Sequence, residues 1–392
     1  MRFDAIQAFM REQRIDGWLL YDFRGSNPVL AQVLPRAEKR WTTRRAVLFI
    51  PAGGDPVLLA HGIDWNQFED VDVARERYLS WRDLRDWLTR TLAGRNRVAM
   101  EYAPGGTLPV VSIVDAGTVE LVRSLGVEVV SSANLIQAFV ARWSDEAYRT
   151  HLAVSKQVAA IKDQAFGLIR ERLAAGRAVN EYEAQQQILA QFTEAGFETD
   201  SAPIVAVNAH SGDPHFEVSA TSPAPIQRGD WVLIDLWARQ PGQHNIFSDI
   251  TWVGFAGRDV PARHREVFGV VKAARDAALK RAVDGWRGKD RVQGWQLDDA
   301  ARGVIVAAGF EPFIRHRTGH SLSPGPAVHG MGMNLDNLET HDTRDMLPGI
   351  GFTIEPGIYT PDFGVRLEIN VFVDPSTGPL VTSCLQDDIV QL

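Results

Sequence analysis

A chain of 392 residues exceeds what one hydrophobic core usually serves, so two domains are expected, one larger than the other. Its 45% hydrophobic and 23% charged residues are the composition of a soluble globular protein, and a net charge of −8 argues against a nucleic-acid surface. The single cysteine, Cys384, excludes an intramolecular disulfide and fits a reducing, cytoplasmic setting, where it reads as a packed, unreactive thiol.

In chain order, an amphipathic helix fits Phe3 to Arg14, where Asp4, Gln7, Arg11 and Glu12 interrupt anything resembling a secretory signal. The apolar run Gly17 to Tyr21 follows. The clusters Lys39-Arg40-Trp41 and Arg44-Arg45 read as solvated faces. Ala46–Ile50 and Pro56–Leu59 flank Ala52-Gly53-Gly54-Asp55, which is a hairpin signal. Helical spacing covers Trp81 to Leu92 and again Pro109 to Leu125, with strands over Arg97–Met100 and Val127–Val130. Residues 1–143 thus read as an α/β domain without a cofactor fingerprint.

The pattern changes at Ser144, an N-cap with Asp145 and Glu146 in the first turn where the helix dipole favours acids. That helix extends to about Ala175, with Gly176 as its stop. Asn180 and Glu183 suggest a capping box for a second helix ending near Gly196. A third helix fits Pro261 to Asp284, stopped by Gly285, and a fourth fits Leu297 to Ala308. Strand-like runs lie at Pro203–Val207, Trp231–Trp237, Asp249–Phe255, Gly351–Tyr359, Gly364–Asp374 and Asp388–Leu392. Several follow one another directly, so residues 144–392 predict an α+β domain with antiparallel strands. No run approaches the roughly 18 apolar residues of a membrane helix.

Two buried strands, Trp231–Trp237 and Asp249–Phe255, each carry an aspartate at the loop between them, so Asp235 and Asp249 can converge. A plain hairpin with solvated acids fits these residues equally well. Glu355 and Glu368 also sit among strand-forming apolar residues, where an unpaired carboxylate is costly. With His320 they supply four carboxylates and one imidazole, a donor set suited to two adjacent divalent cations with open positions for water. Each glutamate taken alone also reads as an edge-strand acid facing water.

The order and wording of these segments resemble the pita-bread metallopeptidases, in the branch of prolidase and aminopeptidase P. The matching pieces are Gly229-Asp230 through Asp235, Ser248-Asp249-Ile250-Thr251, Thr318-Gly319-His320, Thr353-Ile354-Glu355-Pro356-Gly357-Ile358-Tyr359 and Val365-Arg366-Leu367-Glu368. They cover most of 144–392, and residues 1–143 look like that branch's creatinase-like N-terminal domain. The resemblance implies Asp235 on one metal, Asp249 and Glu368 bridging both, and His320 and Glu355 completing the other. It implies a hydroxide bridging two divalent cations, Mn2+ foremost with Co2+ or Zn2+ also tolerated, as the nucleophile. Glu355 becomes the proton shuttle, and His215 and His329 position the substrate or stabilise the tetrahedral intermediate. Arg366 becomes a substrate carboxylate clamp; an ion pair with one of the site's own acids is its structural alternative.

The implied activity is hydrolysis of Xaa-Pro dipeptides by a cytoplasmic homodimer whose partner is a small peptide with proline in second position, with no nucleic acid and no membrane. Aminopeptidase P activity on longer peptides is the alternative, followed by a catalytically weak peptide- or metal-binding homologue. The sequence departs from the family in two loops. The stretch between the two aspartates is longer and holds Leu236-Trp237 where the family has small residues. The His320 to His329 stretch is extended by Ser323-Pro324-Gly325-Pro326. These departures put the substrate more in doubt than the metal.

Overall fold

The computed structural model describes residues 3–35 and 41–392. These form two compact units, Met1–Val140 and Ala141–Leu392. In the first, strands β1 (Gly17–Phe23), β2 (Arg45–Pro51), β3 (Val57–His61), β4 (Ala74–Tyr78), β5 (Arg97–Met100) and β6 (Glu128–Ser131) make one mixed sheet in the order β4-β3-β2-β1-β5-β6. The hairpin signal at residues 52–55 joins β2 and β3 as an antiparallel pair. Lys39 and Arg40 of the expected basic cluster lie outside the described residues, while Trp41, Arg44 and Arg45 are exposed.

One expected helix here starts late. Pro109–Val111 forms only a single tight turn, and the helix proper is Ala116–Ser124. Asp115 is the reason: its carboxylate accepts the Thr118 N–H at 2.9 Å and caps the helix, so the chain before it stays extended.

The second unit is α+β. Strands β7 (Ile204–Val207), β8 (Trp231–Ala238) and β9 (Ser248–Phe255) are antiparallel, and β16 (Val390–Gln391) joins β9 in parallel. A second sheet runs β10 (Ser321–Leu322), β11 (Gly351–Ile354), β14 (Ile369–Asp374), β15 (Gly378–Val381), and a ribbon pairs β12 (Gly357–Tyr359) with β13 (Gly364–Arg366). Helices cover them. Helix Asp145–Ala174 is capped by the Ser144 hydroxyl, which accepts from the Ala147 N–H at 3.1 Å. With Glu181–Glu194 it buries Val158, Phe166 and Ile188 against Val232 and Ile234. Helices Ala262–Gly288 and Gly294–Ala307 pack Val271, Ala278 and Leu297 with Phe352, Val365 and Val371.

Two sequence readings are corrected. Gly285 does not end its helix, which continues to Gly288 before Lys289 turns left-handed at φ 58°. A Cβ on Gly285 would run into Val292, so the glycine serves close packing and not termination. The runs expected as the single strands Gly351–Tyr359 and Gly364–Asp374 are each broken in two. The breaks fall at Glu355-Pro356 and at Leu367-Glu368, where the chain passes between the four-stranded sheet and the ribbon. Pro356 has no N–H for a ladder.

Candidate metal centre

Period-2 alternation decides which side chains meet on β8 and β9. In register, Asp235 faces Thr251 and Trp237 faces Asp249, so all four share one face of the ladder. Glu355 and Glu368 arrive from the two strand breaks. Their backbone amides are anchored to the carbonyls of Thr318 at 2.7 Å and Thr251 at 3.2 Å respectively. His320 comes from the turn before β10, where Gly319 lies so close to Thr353 that a Cβ would overlap its carbonyl oxygen. Gly319→Ala is therefore expected to cost about 1–3 kcal/mol and to weaken divalent-cation binding by displacing His320. Thermal unfolding and a metal titration on the same variant check both.

All eight residues singled out in the sequence, Asp235, Asp249, His320, Glu355, Glu368, His215, His329 and Arg366, line one cavity of about 320 Å³. At its base, one donor atom each from Asp249, His320 and Glu368 lies within 4.8 Å of the other two. His320 Nε2 is 3.3 Å from Asp249 Oδ2 and 3.4 Å from Glu355 Oε1, while its Nδ1 lies 3.2 Å from the Ser321 carbonyl. A carbonyl only accepts, so Nδ1 carries the proton and Nε2 turns its lone pair toward the carboxylates. Burial, first, and the neighbouring His329 hold the His320 pKa far below its ordinary value, which keeps the ring neutral.

Such a lone pair facing carboxylate oxygens is repulsive unless a cation or proton lies between them. Glu368 Oε1 is buried and has no hydrogen-bond partner among the described residues. Burial raises the pKa of Asp249 and of Glu368 well above the carboxylate range, with the charge of Asp235 adding to the first and that of Asp249 to the second; Glu355 is pushed up to about 7, again chiefly by burial. Clustered acids, a bare imidazole nitrogen and an orphaned oxygen fit a divalent cation.

Asp235 stands slightly apart. Its carboxylate pairs with Arg366 and lies 3.0 Å from the Thr251 hydroxyl, which is also 2.8 Å from Glu368 Oε2. Arg366 is buried; its Nε donates to Thr251 Oγ1 at 3.0 Å and its Nη1 to the Tyr359 hydroxyl at 3.0 Å. Tyr359 in turn lies 2.6 Å from His316 Nε2, whose Nδ1 is 2.7 Å from the Arg317 carbonyl. The carbonyl again fixes the tautomer, so Tyr359 donates to His316, whose pKa burial lowers to about 3. The guanidinium thus forms an ion pair within the site, the structural alternative named above, while also lining the cavity.

His215 is exposed and lies on a loop that Glu181 ties down. That fully buried carboxylate accepts the N–H groups of Val207 at 2.8 Å and Ala224 at 3.0 Å and contacts His210 Nδ1 at 2.8 Å. The His329 ring lies 4.1 Å from that of His320, tilted by 46°, and opens toward the cavity; burial foremost lowers its pKa to about 4.

Sequence reasoning missed Thr251 as the hydroxyl between two carboxylates, and missed Tyr359, His316 and Asp200. Alternation from Asp249 would have found Thr251. Nothing local marks the other three, whose partners are distant in sequence. Cys384 is half-buried with its thiol pKa raised by burial, in keeping with an unreactive side chain.

The profile of metallopeptidase family M24 matches residues 153–375, and the chain belongs to that family. Among curated relatives, YkvY of Bacillus subtilis is 30% identical over 237 residues, 60% of each chain. The Xaa-Pro dipeptidase of Pyrococcus furiosus is 28% identical over 238 residues, covering 60% of this chain and 62% of that one. The chain therefore spans about three fifths of the length of these relatives. The dipeptidase structure from Pyrococcus horikoshii superposes with a TM-score of 0.67 at 23% identity, covering all of both chains. An X-prolyl aminopeptidase of Caenorhabditis elegans, described as a cytosolic enzyme with a di-nuclear active site, gives 0.67 at 15% identity over 99% of this chain and 62% of that one. At these identities the structures establish the fold, which is the pita-bread fold expected from the sequence. No helix of the described residues is long and apolar enough to cross a membrane.

Proposed function

We propose that this chain is a two-metal Xaa-Pro dipeptidase, with residues 1–143 as a creatinase-like N-terminal domain and 144–392 as the catalytic domain. The observation that carries the reading is the donor set of Asp249, His320 and Glu368, with a bare imidazole nitrogen and an orphaned carboxylate oxygen aimed into one cavity. Glu355 and Asp235 add one carboxylate on either side. Kinship to proteins named Xaa-Pro dipeptidase supports the substrate, and the oxygen-rich donor set supports Mn2+, with Co2+ or Zn2+ as substitutes. By the same resemblance the enzyme is a cytoplasmic homodimer.

Asp235, Asp249, His320, Glu355 and Glu368 would hold the two cations. Bound there, the cations supply a lowered water pKa and polarise the scissile carbonyl. The chain's own groups do the rest. Glu355, half-buried and readily protonated, takes a proton from the attacking water and delivers it to the departing proline nitrogen. His215 and His329 stand at the cavity walls, where they can donate to the oxygen on which charge develops. Arg366, with Thr251 and Tyr359, holds Asp235 in place.

Since Arg366 is already paired with Asp235, nothing reserves it for a dipeptide's C-terminal carboxylate, and this favours aminopeptidase P activity on longer peptides as the second reading. The test offers Leu-Pro, Leu-Pro-Xaa tripeptides and Leu-Ala to metal-stripped protein, with and without Mn2+ or Co2+. Metal-dependent cleavage of Leu-Pro is expected. Tripeptides cleaved as fast would select the second reading, and no Xaa-Pro cleavage at all would sink both.

A further inference from the structure

The cavity carries a charged feature that the chemistry above leaves unused. Asp200 sits exposed on its wall. Its Oδ1 accepts the Trp237 indole N–H at 2.6 Å and its Oδ2 the backbone N–H of Val328 at 2.8 Å. Among the described residues it has no lysine or arginine partner. A carboxylate offers about four lone-pair positions, so two protein donors leave it able to take more.

Its surroundings are built, not incidental. Trp237 stands at the end of β8 and Val328 in the loop after β10, and the stretches that follow and precede them are stitched together. The Gly325 N–H donates to the Gln243 carbonyl at 3.0 Å. Arg239, itself buried, donates to the Gly325 carbonyl and pairs with Glu198 at 2.7 Å while stacking on Phe247. Two ordered segments therefore hold Asp200 against the cavity. Its charge is felt by Asp249 and His329.

Position determines which cation can reach it. Trp237 pairs with Asp249 across the ladder and its indole N–H reaches Asp200, so the Trp237 side chain links the two positions. The α-ammonium of a bound peptide is attached next to the scissile carbonyl and stays near those acids. The ammonium or guanidinium of a first-position lysine or arginine lies a run of methylenes further on and can span the indole, whose face accepts both stem and charge. We propose that Asp200 is a specificity residue for a basic side chain in the first position of the peptide. This rests on the peptidase reading above and names its substrate class.

The test compares kcat/KM of the Mn2+-loaded full chain on Lys-Pro, norleucine-Pro and Glu-Pro, for the parent and for Asp200→Asn. The asparagine keeps an oxygen for Trp237, gives up the acceptor of the Val328 N–H and removes the charge, so the ratio between dipeptides and not the absolute rate is the readout. The parent is expected to prefer Lys-Pro over norleucine-Pro by about threefold to tenfold, as a partly screened ion pair allows. That preference should shrink with added salt and vanish in Asp200→Asn, read as the Lys-Pro to norleucine-Pro ratio within each protein. A parent ratio near one, or a variant that loses activity equally on all three dipeptides, would overturn the assignment. If no dipeptide is turned over, the peptidase reading fails by itself, and the same ratio measured as calorimetric Kd decides for or against Asp200.

Discussion

Asp249→Asn is expected to lower kcat/KM by on the order of a thousandfold and to reduce the number of divalent cations bound, while the protein stays folded. Asp249 shares the cluster with His320 and Glu368, and an amide there would turn a weakly binding oxygen or an N–H toward the cation. The backbone is held independently of the side chain: its N–H donates to Asn370 Oδ1 at 3.0 Å and its carbonyl accepts from Asn370 Nδ2. Metal stoichiometry by calorimetry, beside circular dichroism of the same sample, separates loss of the site from loss of the fold. Full activity in this variant would remove Asp249 from the centre.

Glu355→Gln is expected to lower kcat by about a hundredfold to ten-thousandfold, the range for losing a general acid–base group. It carries a second consequence in the metal-free protein. The native state keeps a proton on Glu355 up to about pH 7, against an ordinary value of 4.5. Between those values the folded chain binds more protons than the unfolded one, so this glutamate makes stability fall as pH rises from 4.5 to 7. His320 and His329, with lowered values, act oppositely below their ordinary 6.5, but they are common to both proteins. The difference between parent and variant therefore reports Glu355 together with its repulsion on Asp249 and Glu368. Denaturant titrations across this interval should show the metal-free parent losing on the order of 2 kcal/mol relative to Glu355→Gln. Parallel pH profiles would show that Glu355 is not buried in the native protein.

The donor residues were legible because buried strands rarely tolerate lone carboxylates, and Asp235, Asp249, Glu355 and Glu368 each interrupt a β-prone apolar run. How the two glutamates are presented was not legible. Both read as mid-strand residues, whereas each stands where a strand ends and the chain changes partner; Pro356 was the local sign at one break, and no comparable sign marks Leu367-Glu368. Gly285 read as a stop because glycine usually ends helices, but the close approach of Val292 that requires it is a tertiary fact. The pairing of Arg366 is of the same kind: its place near Glu368 follows from sequence, its ion pair with Asp235 does not. Asp200 went unnoticed because its two donors, Trp237 on β8 and Val328 in a loop, are distant in sequence and only the folded chain brings them together.

The placement of Glu355 and Glu368 at strand breaks bears on how the protein folds. The pair Asp235 and Asp249 comes from one hairpin and can form early, since its contacts are local. His320 and the glutamates join only after β11, β13 and β14 have paired in register, contacts of long sequence separation that form slowly. Tight cation binding thus reports completed topology and not mere collapse. During refolding, metal uptake should lag behind the recovery of secondary structure, and a cation added at the start should slow unfolding far more than it speeds folding.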